Sequence, residues 1–372
     1  MPLESTTLIS VIIPAYQAEG TIERAISSVL SIPYESIEVI VVDDGSTDGT
    51  AGIIDAFAAD DHRVRLVRQE NQGRSVARNK GFSISRGEWV MFLDSDDFLL
   101  PEAFDSMLER AENSASSLVV FGMKRSDGLD QFGGQAAWGP LESSGGEVEL
   151  LAVRAEVFAA AMIGDERSAF VKERWKYESN SSWSRLYRRK QVLSLVTEKN
   201  IGFGPFPDSI KFSEDRLFNI AYLEALGQEL VEFVPEALYY WDFGESGTCA
   251  CVSADDAQTL PAFLGKVAVL RDSGFLGERE YDAVCAREFF AQFQRAVRAD
   301  AILGGVSREP FLKALSDPAM RVTVAAIPPD CADGSLVWRF AARQIGCGRF
   351  DFAFDVCSRL IGAKSVIKSI LH

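Results

Sequence analysis

At 372 residues the chain exceeds one ordinary domain of about 100–200 residues, so a core domain with an appended region is expected. Its net charge of −16 opposes phosphate backbones, and no Lys/Arg run interleaved with aromatics offsets it, which argues against nucleic acid as a partner. Only two histidines are present, His62 and His372, which nearly excludes a Ser-His-Asp triad and His-rich zinc chemistry and leaves catalysis to carboxylates.

Taken in order, residues 1–123 alternate strand and helix. Leu8–Pro14 reads as a buried strand, Ile22, Ala25/Ile26 and Val29/Leu30 as a helix, and Ile37–Val42 as a second strand. Ile53, Ile54 and Phe57 mark a short helix, Val64–Val67 a third strand, and Ser75–Ser85 a helix. Trp89–Leu93 is a fourth strand, Pro101–Asn113 a helix with Pro at its start, and Leu118–Met123 a fifth strand. Near-continuous apolar strands separated by helices imply an α/β, mostly parallel sheet covered on both faces. Such sheets bind ligands at the carboxyl ends of their strands, which directs attention to the polar residues just after Ile13, Val42 and Leu93.

Ser126–Glu147 is rich in glycine and reads as a long loop. Residues 148–250 read as helix, aromatic-rich turns and one further strand at Leu238–Trp241, and the pattern from about 255 is mostly helical. The expected organisation is a catalytic domain over 1–250, with a nucleotide half 1–123 and an acceptor half 124–250, followed by a helical region 251–372.

No apolar stretch approaches the ~18 residues needed to cross a bilayer, and Met1–Ser5 lacks the basic and apolar regions of a signal peptide. Six cysteines (Cys249, Cys251, Cys285, Cys331, Cys347, Cys357) form no C-x-x-C and read as free thiols in a reducing compartment. A cytoplasmic location is expected. In Ser358–His372, Arg359, Lys364 and Lys368 accompany an apolar stripe at Leu360, Ala363, Ile367 and Ile370/Leu371. Such a helix either packs on its own domain or lies on anionic lipid at the inner face of the membrane.

Four constellations carry chemistry. After the second strand, Asp43 and Asp44 precede Gly45-Ser46-Thr47-Asp48; a carboxylate there accepts from a base N–H or a ribose hydroxyl, or caps the turn. After the fourth strand, Asp94-Ser95-Asp96-Asp97 places two carboxylates on one side of an extended segment, hard oxygen ligands suited to Mn²⁺ or Mg²⁺. Crowded acids repel one another unless a cation is bound. Between them, in Asn71–Gly81, Arg74 or Arg78 is placed to reach a diphosphate and Asn79 a sugar or ribose, or all three lie on a solvated basic helix face. Farther on, Glu214 and Asp215 open a helical period; a carboxylate there either removes a proton from an attacking hydroxyl or caps the helix.

Ile9–Tyr16, Val41–Ser46, Ala77–Gly81 and Leu93–Asp97, in this order and near this spacing, resemble the family 2 glycosyltransferases of the GT-A fold. The resemblance is strong over about 8–123, weaker at Trp183–Arg189 and Glu214–Asn219, and fades after about 250. It implies a Rossmann-like, mixed, mostly parallel sheet flanked by helices. It further implies that Pro14 and Ala15 line the nucleotide through backbone, with Tyr16, Asp43 and Ser95 in the same donor-binding set. Asp44 would read the base, Asp96 with Asp94 would hold Mn²⁺ or Mg²⁺, Asp215 would be the catalytic base and Glu214 its support. Trp183 and Arg185 fall on the acceptor side. The expected reaction is inverting transfer of one sugar from a nucleotide-diphospho-sugar, UDP first, to a saccharide or lipid-linked acceptor hydroxyl in surface polysaccharide or glycoconjugate synthesis. A second copy of the chain is an optional partner.

Two departures from the family pattern matter. Gln292-Phe293-Gln294-Arg295 is followed by Ala296, and Arg174-Trp175 lacks the preceding Gln, so the Gln-x-x-Arg-Trp motif of processive members is absent and single addition is expected. Where many relatives carry a basic loop, this chain has the acidic Trp241–Thr248, which raises the alternative of a catalytically weak or inactive donor-binding scaffold. A sugar-1-phosphate nucleotidyltransferase lacks its Gly-rich start here, and a nicotinamide dehydrogenase its G-x-G-x-x-G.

Overall fold

Branched apolar runs of five to seven residues suit strands covered on both faces, and the structure builds its centre from them. It is a computed structural model and describes residues 9–126, 151–154, 182–197, 204–208, 210, 212–242, 259–274, 276–325 and 336–370. The chain opens with β1 (Ile9–Ala15), α1 (Ile22–Leu30), β2 (Ile37–Asp43), α2 (Thr50–Asp60), β3 (Val64–Arg68) and α3 (Arg74–Ile84). There follow β4 (Trp89–Phe92), β5 (Phe98–Leu99), a 3₁₀ turn at Pro101–Ala103, α4 (Phe104–Asn113), β6 (Leu118–Arg125) and β7 (Leu151–Arg154). Next come β8 (Arg185–Arg188), α5 (Arg189–Thr197), α6 (Glu214–Leu226) and β9 (Leu230–Trp241). The Gly-rich 127–147 stretch and Arg174-Trp175 lie outside the described residues.

Among the described residues the strands form one sheet in the order β3-β2-β1-β4-β8-β6-β9-β5, with β7 also on β9. β3, β2, β1 and β4 run parallel; β8 is antiparallel to β4 and β6, while β6 and β9 are parallel. This is the mixed, mostly parallel sheet that the sequence implies. Every residue of β1 and β2 is buried, and each Ile or Val so buried stabilises by roughly 1.5–3 kcal/mol. α3 lies directly on β1, because a Cβ at Gly81 would come within 2.5 Å of Ile12 Cγ2.

β9 is longer than the Leu238–Trp241 strand expected. Pro235, which has no N–H to donate, reads as a break, but Phe121 pairs with Val234 and Gly122 with Ala237, so Pro235 and Glu236 fall in a bulge. β8 was not legible as a strand. The Pro101 helix begins as a 3₁₀ turn before α4.

The chain divides into two compact units, residues 1–208 with 214–247 and residues 209–213 with 248–372. The described elements of the second are all helical: α7 (Leu260–Asp272), α8 (Glu278–Leu303), α9 (Glu309–Ala314), α10 (Pro318–Ala325), α11 (Leu336–Gly346) and α12 (Phe350–Ile370). Its core gathers Phe289, Phe293, Phe311, Phe350 and Phe354. α12 starts eight residues before the expected Ser358, whose hydroxyl donates to Asp300 Oδ2 at 2.7 Å. Among the described cysteines Cys285 and Cys357 are buried and Cys347 is exposed, and none of the three is in a disulfide. Among the described residues no helix is long and apolar enough to cross a membrane.

Candidate active site

Because β1, β2 and β4 are parallel neighbours, their carboxyl ends emerge at one edge, where Pro14 pairs with Val42, Ala15 with Asp43, and Leu93 N–H bonds to Ile12 carbonyl. The loops leaving β1 and β2 are then stitched together. Gln17 N–H donates to Ser46 Oγ at 3.0 Å, Thr47 N–H to Gln17 Oε1 at 2.7 Å, Gly49 N–H to Glu19 Oε2 at 2.7 Å and Ala18 N–H to Thr50 Oγ1 at 2.7 Å. Gln17 is held at φ 51°, a left-handed conformation costly for a residue with a Cβ. Tyr16, just before it, is half exposed at 52%.

Asp43 and Asp44 are both buried, and they do different things. Asp43 Oδ1 accepts from Ser46 N–H at 3.1 Å and shapes its own turn. Asp44 reaches across to the loop after β3: Oδ1 accepts from Gln69 Nε2 (2.7 Å) and Gln72 N–H (2.9 Å), and Oδ2 from Gly73 N–H (2.8 Å). Gly73, at φ 92°, opens α3. With one donor on Oδ2, that oxygen keeps a second lone pair.

The loop after β4 holds Asp94, Asp96 and Asp97, each with an oxygen within 4.8 Å of the others. Burial and the neighbouring Asp94 and Asp242 charges push Asp96 up to about 6. Asp97, buried and beside Asp94 and Asp96, is raised well above the usual carboxylate range. Its Oδ2 accepts from Tyr239 Oη at 2.5 Å and its Oδ1 from Asp242 N–H at 2.8 Å, so Asp97 ties the acidic loop to the end of β9. Asp96, partly exposed, and Asp94 remain the oxygens free to face a ligand. Asp94 and Asp96, two hard oxygen donors crowded beside Asp97, fit a divalent cation, which would compete with the proton that burial favours on Asp96.

Across from this loop sit Glu214 and Asp215 at the start of α6, linked to it through α3. Arg78, 1% exposed, donates Nη2 to Asp94 Oδ1 (2.6 Å) and Nη1 to both Glu214 Oε1 (2.9 Å) and Asp215 Oδ1 (2.8 Å). Arg74 grips Glu214 in two-pronged fashion, Nε to Oε1 at 2.5 Å and Nη2 to Oε2 at 3.0 Å. Two cations thus face three carboxylates, and the pairing is what permits these charges below the surface. Burial works against the charge on Arg78, but Asp215, Asp94 and Glu214 outweigh it and hold the guanidinium protonated. Burial lifts Asp215 to about 6, with Arg78 pulling the other way. Its Oδ2 accepts from Ser182 N–H at 3.3 Å.

The structure therefore brings Asp94, Asp96, Glu214, Asp215, Arg74 and Arg78 into one site, and places others differently from the sequence reading. Arg78 gives both of its terminal nitrogens to carboxylates rather than turning to solvent. Asn79 uses its amide on the backbone of Phe206, Nδ2 to the carbonyl at 2.6 Å and Oδ1 from the N–H at 2.9 Å. Gly204 passes close beneath it, since a Cβ there would meet Asn79 Nδ2 at 2.8 Å. Arg185 is buried in β8, at 1% exposure, hydrogen-bonded with Tyr187 inside the sheet. Trp183 is half-buried and stacks on Tyr239. Ser95 is partly exposed between the two metal-facing acids.

Arg24 is the site residue that sequence reasoning missed. From α1 it donates Nη2 to the Asp96 carbonyl at 2.6 Å and to Asp242 Oδ2 at 2.8 Å, over the Phe98 ring. The described part of the acidic loop, Asp242, is thus neutralised by an arginine 218 positions away in sequence. Residues 243–248 lie outside the described residues. Only the amphipathic spacing of α1 hinted at Arg24, as a solvent-facing charge.

A mixed, mostly parallel sheet with acids at the ends of β2 and β4, and a paired Glu-Asp at a helix start, fits the GT-A class of nucleotide-sugar glycosyltransferases. The model of glycosyl transferase family 2 matches residues 10–197, half of the chain, and the chain belongs to that family. Among curated relatives, the uncharacterized glycosyltransferase EpsJ of Bacillus subtilis (strain 168) is 31% identical over 235 residues, 63% of this chain and 60% of that protein. The putative teichuronic acid biosynthesis glycosyltransferase TuaG of the same organism is 39% identical over 130 residues, 34% of this chain and 52% of that protein. The matched part is thus under two thirds of the length of either relative. Among solved structures, S. aureus TarS 1–349 in complex with UDP-GlcNAc superposes with a TM-score of 0.58 at 19% identity, over 94% of this chain and 91% of that one. At that identity the likeness shows the fold.

Proposed function

We propose that this chain is an inverting, non-processive glycosyltransferase that moves one sugar from a nucleotide-diphospho-sugar, UDP-linked first, to an acceptor hydroxyl in surface polysaccharide or glycoconjugate synthesis. The observation that carries it is Arg78, whose one guanidinium spans Asp94 of the loop after β4 and Asp215 of α6. An acid suited to hold a donor's cation and an acid suited to take an acceptor's proton are thereby fixed to the same rigid group.

In this reading Pro14, Ala15 and Tyr16 line the nucleotide, and Asp44 accepts the uracil N3–H on the lone pair left at Oδ2 while its other contacts hold the Gln69–Gly73 loop in place. Asp96 and Asp94 would hold Mn²⁺ or Mg²⁺, which supplies charge neutralisation for the departing diphosphate. Arg24, anchored on the Asp96 carbonyl, adds a cation at that loop. Asp215 accepts the proton of the acceptor hydroxyl as its oxygen bonds to the anomeric carbon from the face opposite the diphosphate. The anomeric C–O bond breaks with its electron pair leaving on the nucleoside diphosphate, so configuration inverts. Glu214 and Arg78 hold Asp215 in register. The S. aureus TarS complexes with UDP and UDP-GlcNAc support the donor class, and the teichuronic acid role printed for TuaG supports a polysaccharide setting.

The test is release of UDP from a panel of UDP-sugars, with GDP- and dTDP-sugars as controls, in Mn²⁺ or Mg²⁺ and in EDTA. Metal-dependent release that is strongest with a UDP-sugar and lost in Asp215→Asn is expected. A protein that binds the nucleotides yet releases none under any condition would be a scaffold instead.

A further inference from the structure

Within unit 1, two aromatic residues gather around Trp183, the residue after the Ser182 N–H that Asp215 accepts. Trp183 stacks on Tyr239 with ring centroids 4.7 Å apart and planes 16° from parallel, and Trp241 leans against it at 5.7 Å. Tyr239 is fully buried, so it forms the inner layer; Trp183 is only half-buried and forms the outer one. Both ends of this stack are anchored to groups already assigned. Ser182, the residue before Trp183, gives its N–H to Asp215 Oδ2, and Tyr239 Oη bonds to Asp97 Oδ2 and receives the Asp94 N–H at 3.3 Å.

The local backbone is set to present the indole. Ser184 is held at φ 58°, left-handed for a residue with a Cβ, and its hydroxyl is shared between the Phe121 and Gly122 carbonyls at 3.0 Å each. A non-glycine residue kept in that region by two hydrogen bonds is over-determined, as expected where a side chain must point one way. Ser182 adds a buried hydroxyl with no hydrogen-bond partner among the described residues.

Resting on the transferase reading above, we infer that Trp183 is the platform of the acceptor subsite and that the acceptor is a saccharide, whose pyranose ring lays a C–H face on the indole. The C–H groups of a pyranose face are weakly positive and the indole face is negative, so stacking orients the ring without a charged partner. An acyclic polyol offers no such flat face. Lying one residue from the Asp215 contact, a ring on Trp183 has its hydroxyls within reach of that carboxylate. Ser182 Oγ is available to one of them.

The experiment uses the full chain with UDP and Mn²⁺ and measures saturation-transfer NMR from protein to methyl gluco-, galacto-, manno- and N-acetylglucosamine pyranosides, with ribitol and glycerol as acyclic probes. Wild type is expected to bind at least one pyranoside through its ring C–H protons, and to prefer it to the polyols. Trp183→Leu, which keeps the volume apolar, should weaken that Kd at least tenfold, whereas Trp183→Phe should lose under threefold. The Kd for UDP should stay within twofold in both. Binding by ribitol in preference to every pyranoside, or equal pyranoside Kd in Trp183→Leu and wild type, overturns the inference. So does parallel loss of UDP binding, which marks Trp183 as structural. Metal-dependent UDP release by wild type is scored separately, so failure of this subsite leaves the transferase reading standing, and the reverse.

Discussion

The β3-β2-β1-β4 side of the sheet and the β8-β6-β9 side with α6 are built on different physics. On the first, β1 and β2 are buried throughout, and its polar residues act mainly at the strand ends. On the second, Arg185, Glu214, Arg216 and Asn219 are buried among aromatic rings, with Tyr187 Oη donating to Asn219 Oδ1 at 2.7 Å. The first side is stabilised by apolar volume, which is non-directional; the second by paired polar groups, each of which fails if its partner goes. Arg78 belongs to the first side by sequence and to the second by chemistry. The comparison predicts that the donor side breaks when volume changes and the acceptor side when charge changes.

The largest effect falls on the base. Asp215→Asn keeps the shape but cannot take a proton, so transfer should fall by about 10²–10⁴-fold, with UDP binding retained in a thermal-shift assay. In wild type, withdrawal from water pushes Asp215 up to about 6. The active form is the carboxylate, so kcat/KM should drop tenfold per pH unit below about 6 and level off above it, measured at saturating Mn²⁺. Without saturating metal the fall should steepen, because a proton on Asp96, also near 6, competes with the cation.

Next in size is Arg78→Met. It strands Asp94, Glu214 and Asp215 with one cation, Arg74, between them, and removing one partner of a buried ionic cluster typically costs about 3–5 kcal/mol. Losing the cation also raises Asp215 further in the folded state, because Arg78 pulls it down in wild type. The folded variant then holds protons that the unfolded chain releases near 4, so its stability falls as pH rises through that window. Urea midpoints should therefore differ from wild type more at pH 8 than at pH 5, and the acid limb of kcat/KM should move above 6. Arg78→Lys should rescue little, since one ammonium does not span the positions that two guanidinium nitrogens occupy.

What could be read from the sequence follows the same division. Ile9–Ala15, Ile37–Asp43 and Trp89–Phe92 announce themselves because apolar runs encode parallel strands directly, and the acids after them could be placed at one edge by topology alone. β8 could not, because Arg185-Leu186-Tyr187-Arg188 reads as a polar turn until its partners are known: Arg185 is buried in the sheet, and the Arg188 guanidinium lies 3.9 Å from the Trp89 ring centroid. The engagement of Arg78 was hidden for the same reason. A helix arginine looks solvent-bound until acids from 16, 136 and 137 positions away converge on it. Asp97 is similar, its role fixed by Tyr239 and Asp242 at the far end of the domain.

The donor side should answer to volume. Gly81→Ala would gain about 1 kcal/mol of helix propensity, but its Cβ would sit 2.5 Å from Ile12 Cγ2, on a buried strand that has no room to yield. Overpacking of this kind costs about 1–3 kcal/mol, a net loss. Ile12→Ala alone should cost about 2–5 kcal/mol. Combined with Gly81→Ala it should cost less than the sum, because the new methyl fills the cavity; additive urea midpoints would mean that α3 does not rest on β1 as described. Both variants should keep the wild-type pH profile.

The smallest effect should come from Asp97→Asn. Burial and the adjacent Asp94 and Asp96 charges raise Asp97 well above its ordinary 3.8, so a neutral side chain is close to what the fold already holds. Asparagine can keep Oδ1 as acceptor for Asp242 N–H and set its amide against Tyr239 Oη, which changes stability by under about 1 kcal/mol in EDTA. The sign depends on pH. Folded wild type keeps a proton that the unfolded chain gives up near 3.8, so wild type loses stability as pH rises above about 4 and asparagine does not. The variant should therefore be neutral or slightly weaker at pH 4.5 and gain on wild type toward pH 8. Mn²⁺ activation should be nearly unchanged, in contrast to Asp96→Asn, where it should be lost; equal loss in the two would make Asp97 a cation ligand rather than the tie between the acidic loop and β9.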